Sequence, residues 1–328
     1  PYKFISKRMG KCHIVSKYFL WLTWLILAFF GTEIKAQQES LRMMYPFIPM
    51  GINPAEAGSQ GILSTTGLFR KKPLIQTFGA LTSSQQYFSL DMPIRSESWG
   101  LGFLGYNTDQ SFASASGVSS NLGLAVVGAK SYRWGRGNEI RLGVNLGLNQ
   151  YPILGKNGSS EFRTSYGLGI KYQKEDLSLE LSLPTIASNP MGGYKAPLYA
   201  QAKYLFHFAN QNHLKIGFLM RQSADEGVAM DAHAVFWWAE RLGFGLWLQN
   251  TGSDLGNRAL LGSLELPLGK NFRLGYAYDF LGQYVSTIPA GLSGTGTSST
   301  STMASGYHQI YIRYSLDVGN GKLAAFRP

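Results

Sequence analysis

Hydrophobic and polar residues alternate with a period of two along most of the chain after residue 60. In RLGVNLGL, residues 141–148, leucine or valine occupies every even position. In LSLELSLP, residues 177–184, leucine occupies every odd position, with serine and glutamate between. Successive side chains of a β-strand point to opposite faces, and a helical period fits neither window comparably. The pattern therefore predicts strands with one apolar and one polar face.

Applied to the whole chain, the same criterion predicts about fourteen strands. Most of the segments reach the roughly 9–11 residues that a tilted strand needs to cross a bilayer. The predicted strands are 61–70, 84–92, 98–109, 119–134, 138–151, 162–173, 176–184, 196–207, 213–224, 226–238, 240–249, 258–266, 271–281 and 305–318.

The predicted connections alternate between long and short, and only the Asp225-Glu226 turn breaks the alternation. The long ones are 71–83, 110–118, 152–161, 185–195, 250–257 and 282–304. Bacterial outer-membrane barrels combine short periplasmic turns, longer outer loops and an even number of strands. A soluble β-sandwich has no reason to keep this asymmetry. We therefore predict an all-β fold, a transmembrane antiparallel β-barrel over residues 61–318, followed by a tail at 319–328.

The positions of the charged residues agree with a barrel. Only 15% of the residues are charged, against about 25% in soluble domains. Charges within strands lie opposite the aliphatic stripe, at Arg141, Lys171, Glu180, Lys215, Arg221, Arg273, Asp279 and Arg313. Near the bilayer midplane such a charge would cost roughly 2–4 kcal/mol on the lipid face, so we expect these residues to face the lumen.

Several aromatic residues lie near predicted strand ends, where an outer-membrane barrel has its interfacial girdles. They are Tyr132, Trp134, Trp237, Trp238 and Tyr314. Ordinary core packing would explain each of them equally well when taken singly. We expect them to contribute to the girdles.

The N-terminal residues have the composition of an export signal. Five basic residues precede the apolar run YFLWLTWLILAFF at 18–30, and a short polar segment ends at Ala36. Thirteen apolar residues are fewer than the ~20 of a typical membrane-spanning helix. We predict a signal peptide over 1–36, with Met9 a candidate start of translation. Cys12, the only cysteine, lies within it, so the predicted mature chain has no cysteine chemistry.

Between the signal peptide and the first strand lies a segment, 37–60, that is unlike a strand. Its distinctive stretch is YPFIPMGINPAEAGSQG, residues 45–61. Asn53 suits a helix N-cap, Pro54 the first helical position and Gly58 the left-handed position after a helix. We predict one tight helical turn at NPAEAG, with Pro46 and Pro49 keeping the remainder extended. The segment is expected either on the periplasmic side or as a plug inside the barrel.

The same residues carry a family resemblance. The leader AQQ, the Tyr-Pro segment and GINPAEAGSQG resemble the start of mature PorP/SprF-type proteins, and FSLDMPI (88–94), FRLGYAYDF (272–280) and GYHQIYIRYSL (306–316) extend the similarity over nearly the whole mature chain. The chain departs from the family pattern at Glu56, where members usually have tyrosine or a similar residue. The family-motif residues are Asn53, Pro54, Ala55, Ala57 and Gly58.

The resemblance implies an outer-membrane component of the type IX secretion system of Bacteroidota. It implies a role in the export or surface attachment of cargo with C-terminal sorting domains, including gliding adhesins. The partners implied are other secretion subunits, that cargo and outer-membrane lipid. A porin or a hydrophobic-solute transporter is the alternative, and a membrane-embedded hydrolase is a third possibility.

The residues themselves offer little for catalysis or cofactor binding. GLGFLG (100–105) matches a nucleotide-binding pattern but lies within a predicted strand, so its glycines are expected to ease strand packing. GTGTSST (294–300) is predicted to be a flexible outer loop. The histidines of the mature chain, at 207, 213, 233 and 308, have no metal-motif spacing. We expect no enzyme activity, cofactor, metal site or nucleic-acid partner.

Overall fold

The chain adopts a closed barrel of fourteen antiparallel strands. The structure is a computed structural model, and it describes residues 45–71, 83–94, 98–112, 117–135, 137–152, 160–187, 197–208, 210–223, 227–250, 258–280, 283–288, 299–304 and 308–316. The predicted signal peptide and the C-terminal tail lie outside these residues.

The described residues contain sixteen strands, of which fourteen form the barrel, as the sequence predicts. They are β1 (Leu63–Lys71), β2 (Ser83–Ile94), β3 (Trp99–Phe112), β4 (Gly117–Trp134), β5 (Asn138–Pro152), β6 (Ser160–Lys174), β7 (Leu177–Ala187), β8 (Leu198–Phe208), β9 (Asn212–Ser223), β10 (Gly227–Trp238), β11 (Leu242–Asn250), β12 (Arg258–Leu268), β13 (Phe272–Asp279), β14 (Gln283–Ile288), β15 (Ser299–Ala304) and β16 (His308–Leu316).

The barrel closes where the first strand pairs with the last. Leu63 opposes Leu316 at one end of this seam, and Lys71 opposes His308 at the other. Each remaining barrel strand pairs with its neighbours in the chain, except that β13 pairs directly with β16. Closure gives every barrel strand two hydrogen-bonded neighbours, as a barrel in lipid requires.

Strands β14 and β15 form a separate two-stranded hairpin between β13 and β16. The sequence predicts a long connection over 282–304, and the hairpin within that connection was not predicted. Its six-residue strands are too short to cross a bilayer, which explains why the membrane-strand criterion missed them. Of the predicted flexible loop 294–300, residues 294–298 lie outside the described part of the chain.

The connections at one end of the barrel are short. They join β2 to β3, β4 to β5, β6 to β7, β8 to β9, β10 to β11 and β12 to β13, and none leaves more than four residues between strands. The predicted long loop 110–118 is wrong, because β3 continues to Phe112 and β4 begins at Gly117. Residues 224–226, which contain the Asp225-Glu226 turn, lie outside the described residues.

The two faces of the wall differ as the alternation predicts. On β5, Val144 and Leu146 point outward and are 56% and 67% exposed, whereas Arg141 is 1% exposed. None of the eight strand charges named above is exposed, which confirms that they avoid the outer face. Among the aromatic residues, Tyr132, Trp134 and Trp238 are exposed, but Trp237 is buried inside the barrel, so its assignment to a girdle is wrong. No helix in the described residues is long and apolar enough to span a membrane.

Candidate functional site

Residues 45–62, here called the plug, lie inside the barrel and contact its inner wall. The interior of the barrel therefore contains both inward-facing strand residues and this N-terminal segment. Tyr45, Met50, Ile52 and Ala55 are each at most 2% exposed. The polar residues Asn53 and Glu56 are also buried, so their hydrogen-bonding groups need partners from the wall.

Three short 3₁₀ turns, Tyr45–Phe47, Pro49–Gly51 and Pro54–Glu56, shape the plug. Asn53 caps the third turn, because its side-chain oxygen accepts a hydrogen bond from the Ala55 N–H at 3.0 Å. Pro54 takes the first position, and Gly58 follows with a φ of +68°. These features confirm the predicted turn. The prediction that Pro46 and Pro49 keep the chain extended is wrong over the described residues, since both lie within turns.

The wall binds the backbone of the plug directly. The Arg141 guanidinium donates from Nε to the Ala55 carbonyl at 3.1 Å and from Nη2 to the Ala57 carbonyl. The Ser182 hydroxyl donates to the Ile52 carbonyl at 2.7 Å. The Gly58 N–H donates to the Asp91 carboxylate at 2.5 Å. Strands β2, β5 and β7 thus satisfy the peptide groups that a turn buried in the lumen would otherwise leave unbonded.

Three glycines of the wall make room for this backbone. A Cβ atom on Gly100 would lie 1.9 Å from the Ala57 carbonyl oxygen, and one on Gly143 would lie 2.1 Å from the Ala55 nitrogen. A Cβ on Gly169 would lie 1.9 Å from the Asn53 side-chain oxygen. The glycine at 100 is therefore needed for the plug to approach the wall, rather than for strand packing alone.

Glu56 lies at the centre of a buried charge cluster formed by Glu56, Lys171, Glu180 and Lys203. Its carboxylate oxygens lie 2.8 Å from the Lys171 ammonium and 2.7 Å from the Lys203 ammonium. Lys203 also pairs with Glu180, which accepts a hydrogen bond from the Asn53 amide at 3.0 Å. All four charged side chains are at most 5% exposed. Two carboxyl groups thus lie against two ammonium groups.

The electrostatic environment favours the ionised form of Glu56. Burial by itself would raise the pKa of the carboxyl group, but Lys171 and Lys203 outweigh burial and hold the pKa well below its ordinary value. A buried carboxylate with two ammonium partners is strongly coupled to both of them. Glu56 therefore links the plug electrostatically to strands β6 and β8.

The first turn of the plug packs among aromatic residues. The Tyr45 hydroxyl lies 3.0 Å from His233 Nδ1, and the His233 ring stacks on Trp247 with centroids 4.6 Å apart. Phe47 packs on Tyr311 with centroids 3.8 Å apart. Burial in this mostly apolar environment raises the pKa of Tyr45 well above its ordinary value. This half of the plug is held by aromatic packing and the Tyr45–His233 hydrogen bond, and the other half by charge and hydrogen bonds to the plug backbone.

A cavity of about 50 Å³ borders the plug on the side away from the short connections. Ile48 and Gly51 of the plug form part of its lining. The wall contributes Tyr87, Phe88, Leu104, Gly105, Tyr106, Ala125, Asn145, Asn149, Ser165 and Pro184. Its volume is that of a few atoms, well below the ~300 Å³ of a small-molecule site.

The family-motif residues come together in the plug and face the wall. Asn53, Pro54, Ala55, Ala57 and Gly58 are all buried. Glu56 was not predicted as the centre of a charge cluster, although its departure from the family pattern was an available signal. Lys171 and Glu180 were predicted to face the lumen, but their partner in the plug could not be identified from strand alternation.

The plugged, closed barrel with an apolar exterior belongs to the class of outer-membrane β-barrel proteins. A crystal structure of a Pseudomonas aeruginosa FadL homologue has the same kind of fold, with a TM-score of 0.51 at 10% identity over 81% of this chain and 93% of that chain. The TodX monoaromatic hydrocarbon channel has a TM-score of 0.48 at 11% identity, over 77% of this chain and 89% of that chain. A mutant of the Rh. blastica porin has a TM-score of 0.36 at 8% identity, over 77% of this chain and 99% of that chain.

The family is identified by the sequence as a whole. The model of the family described as "Type IX secretion system membrane protein PorP/SprF" matches residues 34–314, which include the plug and nearly all of the barrel. The chain belongs to this family and is an outer-membrane protein. No curated protein matches the chain at a significant level.

Proposed function

We propose that this protein is a non-catalytic outer-membrane component of the type IX secretion system. In this proposal it supports the export or surface attachment of cargo with C-terminal sorting domains, such as gliding adhesins. Its partners would be other secretion subunits and that cargo. The observation that carries the proposal is the family match over residues 34–314. The matched range includes the plug as well as nearly all of the barrel.

The interior of the barrel favours a scaffold over a diffusion pore. Ion pairs at 2.7 and 2.8 Å join the plug to β6 and β8, and Arg141 binds two of its carbonyl groups. A general porin leaves an aqueous channel through its wider barrel. A lumen crossed by a buried, hydrogen-bonded segment supports a role in which the outer surfaces engage partners.

Two surfaces are candidates for partner contacts. One is the end with short connections, which corresponds to the periplasmic end in other outer-membrane barrels. The other is the long connection between β13 and β16, which carries the β14–β15 hairpin. Exposed connections on a rigid scaffold are frequent recognition elements. We propose that the hairpin end contacts cargo and the short-connection end contacts secretion subunits.

Deletion of the gene, followed by quantitative proteomics of the cell surface and medium, tests the proposal. We expect specific sorting-domain proteins to be lost from both fractions and to be restored by the wild-type gene. An affinity pulldown of the tagged chain from outer membranes should recover secretion subunits. Unchanged export in the deletion strain would contradict the proposed function.

A hydrophobic-solute transporter is the second candidate, because the cavity beside the plug has a mainly apolar and aromatic lining. Transport through the lumen would require the plug to move. Planar-bilayer conductance and solute uptake by the purified barrel, with and without residues 37–60, would separate the two functions. The secretion proposal predicts that the intact protein is closed to ions and that the deletion strain takes up apolar solutes normally.

A further inference from the structure

Two histidines face each other at the short-connection end of the barrel. His207 on β8 and His213 on β9 are directly opposed in the strand register. Their Nδ1 atoms are 2.9 Å apart, and their rings are perpendicular with centroids separated by 4.9 Å. Residues Asn210 and Gln211, both with positive φ, form the tight connection that sets this register. This register places both imidazoles on the same face of the wall, where their Nδ1 atoms approach each other.

Each histidine is also bound on its other nitrogen by a carboxylate. His207 Nε2 lies 2.9 Å from Asp176 Oδ1, and His213 Nε2 lies 3.2 Å from Glu240 Oε1. A carboxylate accepts a hydrogen bond from Nε2–H, and a neutral ring that has its proton on Nε2 has its lone pair on Nδ1. In this tautomer both converging Nδ1 atoms present lone pairs toward each other, an arrangement that suits a cation bound between them. Carboxylate–histidine–metal arrangements have this second-shell pattern.

We propose that His207 and His213 bind a divalent transition-metal ion of the Zn²⁺ class through their Nδ1 atoms. Zinc–imidazole bonds are about 2.0–2.1 Å long, so tetrahedral coordination needs the two nitrogens about 3.3 Å apart. A separation of 2.9 Å reaches this value with a few tenths of an ångström of side-chain movement. Water completes the coordination, since His207 is 51% exposed.

Asp176 and Glu240 each place a carboxylate against one of the two histidines, so a cation at the Nδ1 atoms would have an acidic second shell. The bound metal would also join three short connections at this end of the barrel. Asp176 lies in the β6–β7 connection and Glu240 in the β10–β11 connection, and His207 and His213 flank the β8–β9 connection.

The test uses the full mature chain with a tag free of histidine, purified in detergent and treated with a chelator. Isothermal titration with Zn²⁺ should show one site per chain, and Co²⁺ should give absorption bands of a nitrogen-ligated ion. His207→Ala and His213→Ala should each abolish this site. Asp176→Asn should weaken Zn²⁺ affinity by about 10- to 100-fold. Heat-dependent gel mobility would establish that each variant is folded.

His308→Ala is the matched control, since His308 also pairs across strands but bonds to the Tyr276 hydroxyl at 2.7 Å rather than to a second histidine. It should bind Zn²⁺ like the wild type. Absence of saturable binding by the wild type would overturn the proposal and leave a proton-sharing pair. Equal binding by the doubly substituted His207→Ala, His213→Ala chain would overturn it as well, because the metal would then lie elsewhere.

Discussion

Replacing the carboxylate of Glu56 by an amide should release the plug from the barrel wall. Glu56→Gln keeps the size and shape of the side chain but removes its charge. The substitution leaves Lys171 and Lys203 buried with only Glu180 to balance them. Strand pairing holds the barrel itself together, so we expect Glu56→Gln to weaken the docking of the plug rather than the folding of the barrel.

The size of the effect follows from the burial of the cluster. Removing one member of a buried ion pair typically costs about 3–5 kcal/mol, because the remaining charge is left uncompensated. Glu56 and its two lysine partners are at most 5% exposed, which places them in this category. A change of this size corresponds to an increase of about 150- to 5,000-fold in the equilibrium constant for plug release.

A cysteine in the plug would measure that equilibrium. Met50 is 2% exposed, and the only natural cysteine, Cys12, lies in the predicted signal peptide. In Met50→Cys, the maleimide-labelling rate reports the population of the released state when docking is fast compared with labelling. Adding Glu56→Gln should raise the labelling rate about 150- to 5,000-fold.

The control removes an exposed carboxylate instead. Glu161 forms a single ion pair with Arg163 at 2.9 Å and is 50% exposed. Surface pairs contribute about 0.2–1 kcal/mol, so Glu161→Gln should change labelling by less than about fivefold. If Glu56→Gln and Glu161→Gln label at similar rates while both barrels remain folded, the buried charge cluster does not hold the plug.

Acid should act on the same interaction. The folded-state pKa of Glu56 lies well below its ordinary value of 4.5, because the nearby lysines outweigh the effect of burial. The stabilising contribution is therefore complete above about pH 4.5 and is lost as the pH falls through the lower, folded-state value. Pepsin cleavage within residues 45–62, followed by mass spectrometry, should accelerate below pH 4.5 in the wild type. Glu56→Gln should lack this acid-dependent step, and an identical acid profile in both proteins would argue against the assignment.

Three further substitutions test the packing of the plug and the face of the wall. Gly169→Ala should displace the plug and raise Met50→Cys labelling, since overpacking costs typically about 1–3 kcal/mol, whereas Gly67→Ala, with nothing within 4 Å of the added Cβ, should not. Tyr45→Phe should increase labelling about 5- to 150-fold, because it removes the bond to buried His233 at a cost of about 1–3 kcal/mol; unchanged labelling would count against that bond. Leu146→Arg should lower folding stability in lipid by about 2–4 kcal/mol, measured by urea titration, and stability equal to wild type would contradict a lipid-facing position.

Local alternation determined much of the fold. The period-two pattern predicted fourteen barrel strands and the side of the wall on which the charges lie, because adjacent residues in a strand necessarily face opposite ways. The Asn53 cap, Pro54 and the left-handed Gly58 were predictable for a related reason, since each depends on the conformation of a few neighbouring residues.

Tertiary structure decided where these elements meet. Glu56 contacts Lys171 and Lys203, which are 115 and 147 residues away in the chain. Alternation places a side chain in the lumen but does not determine which of the many lumenal groups it contacts. Trp237 faces inward because its position in β10 puts it on the lumenal face. Its nearness to the strand end suggested a girdle position instead. Composition and periodicity describe the wall of a barrel, whereas the contents of its lumen depend on contacts between residues distant in the chain.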